Sequence, residues 1–276
     1  NSGASFVVFG KTDGSAVELS AVEIGFIGFV INGVSTDDPS SSSIGDNSGF
    51  SVSSAGDVNG DGLADLIVGA HRDGTNGNSR SGASFVVFGK TDGSAVALST
   101  VELSAADSGG FVINGVGSFD YSGHSVSSAG DVNGDGLADL IVGAYRDDPN
   151  GNSDSGASFV VFGKTDGSAV ALSALELTTG GIGGFVINGV SGGDYSGRSV
   201  SSAGDVNGDG FADLIVGAPK ASASYVVFGK TDGSAVALAT LEADNGGFVI
   251  NGVSAGDFSG HSVSSAGDVN GDGLAD

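Results

Sequence analysis

The chain has no cysteine, no methionine and no tryptophan, and only 3 prolines among 276 residues. Without cysteine there is no disulfide framework, no zinc–thiolate centre and no cysteine nucleophile. Packing, or a metal held by oxygen, must fasten the fold instead. So few prolines exclude a polyproline rod. Bases are scarce too: 9 Lys and Arg stand against 33 Asp and Glu, a formal net charge of −24. A nucleic-acid surface needs a basic patch, so no nucleic-acid partner is expected. The same charge disfavours docking on an anionic membrane. No apolar run reaches the ~18 residues of a membrane-spanning helix, so no membrane insertion is expected. The chain opens with neither a Met nor an export signal, which a processed, excised or partial chain explains as well as a cytosolic origin does.

Glycine and repetition fill the space. Gly occupies 52 positions without a three-residue period, which excludes collagen, and 39% hydrophobic residues suffice for a core. The segment GDVNGDGLAD begins at Gly56 and returns at Gly130, Gly204 (with Phe for Leu) and Gly267. Its first Asp falls at 57, 131, 205 and 268, in steps of 74, 74 and 63. VVFGKTDGSAV and GFVING recur in step with it, so the repeating block is roughly 60–75 residues long.

Within a block the apolar runs are short, rich in Val, Ile and Phe, and bounded by Gly, Asn, Asp or Ser, which is a strand signature. In the second block they fall at 84–88, 111–114, 125–128 and 139–142. FVVF and DLIV are apolar on both faces, as in covered strands; SVSS alternates, as in a more exposed one. One helix-like pattern, at 169–180, places Leu172, Leu175 and Ala171 on a shared face; a packed loop with leucine plugs is the equal alternative. Four antiparallel strands per block, repeated radially, predict an all-β β-propeller whose ring is incomplete or completed by another chain. A solenoid usually has a shorter unit of ~20–45 residues. Three intact LIVGA runs (66–70, 140–144, 214–218) accompany four acidic loops (57–65, 131–139, 205–213, 268–276). A single repeat domain over 1–276, cut from a longer array, is therefore expected.

The acidic loop reads D-x-N-x-D-G-x-x-D. Asp57, Asn59 and Asp61 present oxygen on a two-residue beat, Leu63 offers a carbonyl, Asp65 stands ninth, and Gly62 permits the sharp turn. The same donors recur as Asp131, Asn133, Asp135, Leu137 and Asp139; as Asp205, Asn207, Asp209, Phe211 and Asp213; and as Asp268, Asn270, Asp272, Leu274 and Asp276. Position 12 is Val68, so the closing Glu of an EF-hand is missing. All-oxygen donors favour calcium, about four structural ions, over zinc or copper, because His71, His124 and His261 share no ligand spacing. Ordinary Asp/Asn/Gly turns are the alternative for a single copy; four copies on one beat favour the ion.

These residues carry a family likeness. SGHSVSSAGDVNGDGLADLIVGA at 122–144, YVVFGK at 225–230, GFVING, and GAP at 217–219 together resemble the FG-GAP repeat of the integrin alpha-chain propeller, and more closely its bacterial relatives in large surface or secreted proteins. The resemblance implies a calcium-stabilised propeller, commonly seven-bladed, outside the cytoplasm and often engaged in adhesion or recognition. The chain departs from the pattern where FG becomes Ser48-Gly49, Ser122-Gly123, Ser196-Gly197 and Ser259-Gly260, which moves the aromatic packing to Phe50, Tyr121, Tyr195 and Phe258. His71 and Tyr145 replace the Pro of GAP, which is kept only as Pro219. Four units are fewer than seven blades.

A second acidic position, at Asp46, Asp120, Asp194 and Asp257, precedes each SVSS run, as a turn residue or as an accessory ligand. The loops after GA vary in length, and Arg72, Arg146, Asp147 and Asp148 are candidates there for recognition or for plain solvated surface. No H-E-x-x-H pair occurs, and G-x-S-x-G occurs only as GVSGG at 189–193 and GVSAG at 252–256, with no Ser/His/Asp arrangement that spacing picks out, so no catalytic residue and no enzyme are expected. The function expected is an extracellular or cell-surface, calcium-stabilised module for adhesion to, or recognition of, protein or glycan. The alternative is a self-assembling surface layer, spacer or filament that binds copies of itself, and a hydrolase-associated propeller comes after both.

Overall fold

A computed structural model describes residues 2–34, 45–74, 76–102, 109–177 and 183–276. It is all-β, built from repeated blades. The second sheet carries Ser51–Gly56, Asp65–Ala70, Ala83–Val87 and Gly110–Asn114, in that order from inner to outer strand. The third carries Ser125–Gly130, Asp139–Ala144, Ala157–Val161 and Gly184–Asn188, and the fourth Ser199–Gly204, Asp213–Ala218, Ala223–Val227 and Gly247–Asn251. All four pair antiparallel, in the same register in each sheet. The first sheet has only the third and outer strands, Ala4–Val8 and Gly28–Asn32. No closed ring forms among the described residues.

The blade is framed differently from the sequence block. The runs at 84–88 and 111–114 close one sheet, whereas 125–128 and 139–142 open the next. Repetition reveals a period but not its phase; hydrogen bonding sets the phase. The fourth SVSS run, at 262–265, lies outside any strand.

Each repeat also clasps the preceding sheet. Two residues after the KTDGS turn (Val96–Ala97, Val170–Ala171, Val236–Ala237) pair parallel with the previous outer strand and cover its edge. The KTDGS lysine then lies over a phenylalanine of that strand: Lys90 over Phe29 at 4.8 Å, Lys164 over Phe111 at 4.5 Å and Lys230 over Phe185 at 4.6 Å. Such contacts are worth about 0.5–1 kcal/mol at exposed sites. Short helices follow at Leu19–Glu23, Leu98–Glu102 and Leu172–Leu177, with a 3₁₀ turn at Leu238–Thr240. The pattern at 169–180 is thus a helix of under two turns with Leu172 and Leu175 as buried plugs; Ala171 sits in the clasping strand, exposed, and 178–180 lie outside the described residues.

Sheets stack face on face. Val86, Phe111 and Ile113 of the second sheet pack with Val126, Leu140 and Phe159 of the third, and Ile141, Phe185 and Ile187 repeat this against Val200, Leu214 and Tyr225. Nearest the axis, successive SVSSAG strands lie against each other. There the Gly of LIVGA is forced: a Cβ on Gly143 would collide with the carbonyl oxygen of Gly197.

Candidate metal centre

The acidic loops gather at one end of the strands. Gly60 and Gly62 hold φ of 77° and 87°, which an L side chain resists. That curl brings three backbone N–H groups onto Asp57: Oδ1 accepts from Gly60 (2.8 Å) and Asp61 (3.1 Å), and Oδ2 accepts from Gly62 (2.9 Å). Asn59 Oδ1 accepts from Asp61 N and Asp61 Oδ1 from Leu63 N, each at 2.8 Å. Asp65 is buried, with Oδ2 accepting from Val58 N (2.8 Å) and Oδ1 from Gly89 N (2.7 Å) of the next turn. The loops of Asp131–Asn133–Asp135–Asp139 and Asp205–Asn207–Asp209–Asp213 reproduce these bonds. In the fourth loop Asp268, Asn270 and Asp272 do so too, while Asp276 caps Val269 N but lies exposed.

Neighbouring loops interlock. Ala138 N donates to Asp57 O (3.0 Å) and Lys164 N to Val58 O (2.9 Å), with Ala212 and Lys230 doing the same one repeat on. Leu137, Phe211 and Leu274 lean on the glycines of the preceding loop, at Gly60, Gly134 and Gly208. Position seven therefore has a packing role that its backbone carbonyl alone did not suggest.

Burial, followed by the charges of Asp61 and Asp57, pushes Asp65 above the usual carboxylate range. The same causes, from burial first and then Asp135 and Asp131, push Asp139 up to about 7, and Asp213 is raised likewise. Backbone N–H donors only partly offset this. Asp57 Oδ2, Asp61 Oδ1 and both oxygens of Asp65 accept one N–H each and so retain a lone pair, and the donors are hard oxygens, so the residues fit a calcium-type ion. Among the described residues no three His, Cys, Asp or Glu side chains stand as a ready cage. A calcium shell also draws on amide and backbone oxygens and water.

The opposite end of the strands holds the other candidates. Arg146 is exposed, 3.9 Å from Asp154 and stacked over Tyr121, Tyr145 and Tyr195 at 5.6–5.9 Å. Arg72 is half-buried and Asp148 exposed. Asp147 is corrected from a surface candidate to a buried one, 5% exposed, because the loop folds back over the sheet: Gly156 N bonds Asp147 O at 3.0 Å. Phe50, His71, His124 and Tyr145 form a run of rings with centroids 4.3–5.4 Å apart. Arg198 Nη1 lies 2.7 Å from His124 Nε2, so that nitrogen accepts. Burial first, then the neighbouring arginines, lowers His71 to about 4; burial and Arg198 lower His124 to about 3. Sequence reading missed this cluster, since its members are 21 to 74 residues apart in chain position, as Phe50–His71 and His124–Arg198 show.

The fold and loops define a blade-repeat protein with a tier of acidic loops at one end. A family model described as FG-GAP repeat matches residues 48–87, 122–161 and 196–238, each opening just before an inner strand and running through the third strand of the same sheet. Three stretches of the chain thus match FG-GAP repeats. It is 30% identical over 187 residues to integrin alpha-PS5 of Drosophila melanogaster, covering 66% of the chain and 16% of that relative. It is 37% identical over 98 residues to integrin alpha pat-2 of Caenorhabditis elegans (36% and 7%) and 34% identical over 113 residues to that of Caenorhabditis briggsae (39% and 8%). The chain thus spans a small part of these relatives.

Proposed function

We propose that the chain is a non-catalytic, calcium-stabilised module, displayed outside the cell, that recognises or adheres to a protein or glycan. One observation carries it: the oxygen-lined loop recurs with the same N–H cradle, interlocked with the next loop, in a chain similar to integrin alpha subunits. The ligands assigned are those of the four loops, Asp57 through Asp65 and their equivalents. A bound ion stabilises only the folded state, where the carboxylates meet. No helix among the described residues is long and apolar enough to cross a membrane. The domain assignment is one array over 1–276 that forms part of a longer chain. Retention of the purified chain on extracellular matrix, cell-surface protein or glycan arrays in calcium, and its loss in EGTA, is expected; equal retention in both, or none in calcium, contradicts the reading.

Self-assembly through copies of the chain is the second reading, supported by near-identical repeats whose successive inner strands already pack against one another within the chain. Sedimentation over a wide concentration range decides between the two readings, since a constant monomer mass leaves only recognition.

A further inference from the structure

A second acidic cluster lies away from the loops. Asp147 follows the far end of a strand that begins at Asp139, so it sits at the opposite end of the sheet from the loops. A cavity of about 630 Å³ opens there between the second and third sheets, walled by Asp120, Asp147, Asp148, Glu176 and Asn188 with Val116. Asp120 and Asp147 are 8% and 5% exposed. Asp147 Oδ1 accepts from Asp148 N at 3.0 Å, but its Oδ2 is buried on the cavity wall with no donor.

The carboxyl of Asp147 faces those of Glu176 and Asp120. Two ionised carboxylates have no proton to donate to each other, so they can be joined only by a shared proton or by a cation between them. The influences on the three groups are burial, one another, Asp148 and backbone N–H donors. Arg146, adjacent in sequence, is engaged by Asp154 and three tyrosine rings. Asp147 and Asp120 are buried, with the exposed Glu176 and Asp148 beside them, and two buried carboxyls so placed are costly unless a proton or a cation joins them. These carboxylates do not by themselves stand as a ready cage, but the cavity has room for an ion whose shell several waters complete, and every polar wall group named supplies hard oxygen.

We propose that this cavity is a second cation site, for a hard divalent ion of the calcium class, with Asp147 at its centre, Asp120 and Glu176 flanking it and Asp148 at its mouth. The site bridges successive sheets and is independent of the acidic loops. Asp46, Asp73 and Glu102 hold the same repeat positions one sheet earlier, with Asp46 and Asp73 buried. One sheet later, Ala221 stands in place of Asp147 and Asp194 is half-buried, so the site is confined to repeats that keep the second Asp.

The test is metal content together with anomalous diffraction on the full chain. After equilibration in calcium, the Asp147→Asn chain should hold one equivalent fewer than wild type by elemental analysis, and crystals grown in Mn²⁺ should show an anomalous peak in the cavity. The Asp131→Asn chain should lose a loop ion while keeping the cavity peak, which separates this proposal from the loop assignment. Equal metal content in wild type and Asp147→Asn, or a cavity without a peak in Mn²⁺ crystals, overturns it and leaves shared protons as the neutralising agent. If Asp147→Asn does not fold, the wild-type anomalous map decides alone.

Discussion

At the scale of single residues, backbone handedness and burial make the sharpest demands. Gly136 holds φ of 90° with open space where a Cβ would stand. Gly136→Ala therefore isolates the conformational cost, about 1–2 kcal/mol for an L residue in the left-handed region, and denaturant unfolding in EGTA should show a loss of that size. The His71–His124 pair sets a pH response. Both imidazoles are neutral in the folded chain and have an ordinary value of 6.5. As pH falls, the unfolded chain takes up protons first, so their contribution is complete above about 6.5 and is lost progressively toward about 4 for His71 and about 3 for His124. The His71→Gln/His124→Gln chain should lose less stability between pH 7 and pH 5 than wild type. Parallel losses would contradict the assignment.

At the scale of elements, the strands follow from their composition. Ala157–Val161 is buried at every position, as an apolar run covered on both faces should be. The inner strand Ser125–Gly130 is only partly buried, with Val126 and Ala129 its buried positions on either side of the serines. What could not be read was assembly across repeats. The clasp of KTDGSAV on the preceding sheet, the grouping of Asp120, Asp147 and Glu176, and the ring cluster around His124 all join residues whose neighbours depend on the phase of the blade. The helices at 19–23 and 98–102 are too short to show a period. The acidic loop was legible because its geometry is local, with bonds spanning two to seven residues. Two substitutions probe the packing. Gly143→Val puts side-chain atoms against the Gly197 backbone and should cost about 1–3 kcal/mol or more, as overpacking does. Leu172→Ala empties a fully buried plug and should cost about 2–5 kcal/mol. Equilibrium unfolding of each chain checks both.

For the whole molecule, charge and repetition converge. A chain of net charge −24 gathers four acidic loops into one interlocked tier, where like charges repel in the folded state. Calcium bound as proposed would remove that repulsion and link stability to ion concentration, by about 2.7 kcal/mol per site at one hundred times the dissociation constant. Stability should thus depend on free calcium more steeply than one site allows. The most direct measurement is thermal unfolding of the chain over a series of buffered calcium concentrations, beside a chain with Asp57, Asp131, Asp205 and Asp268 each changed to Asn. The account predicts a wild-type Tm that climbs continuously with calcium and a much flatter response in the loop variant. Wild-type melting curves that superimpose from EGTA to excess calcium would contradict it.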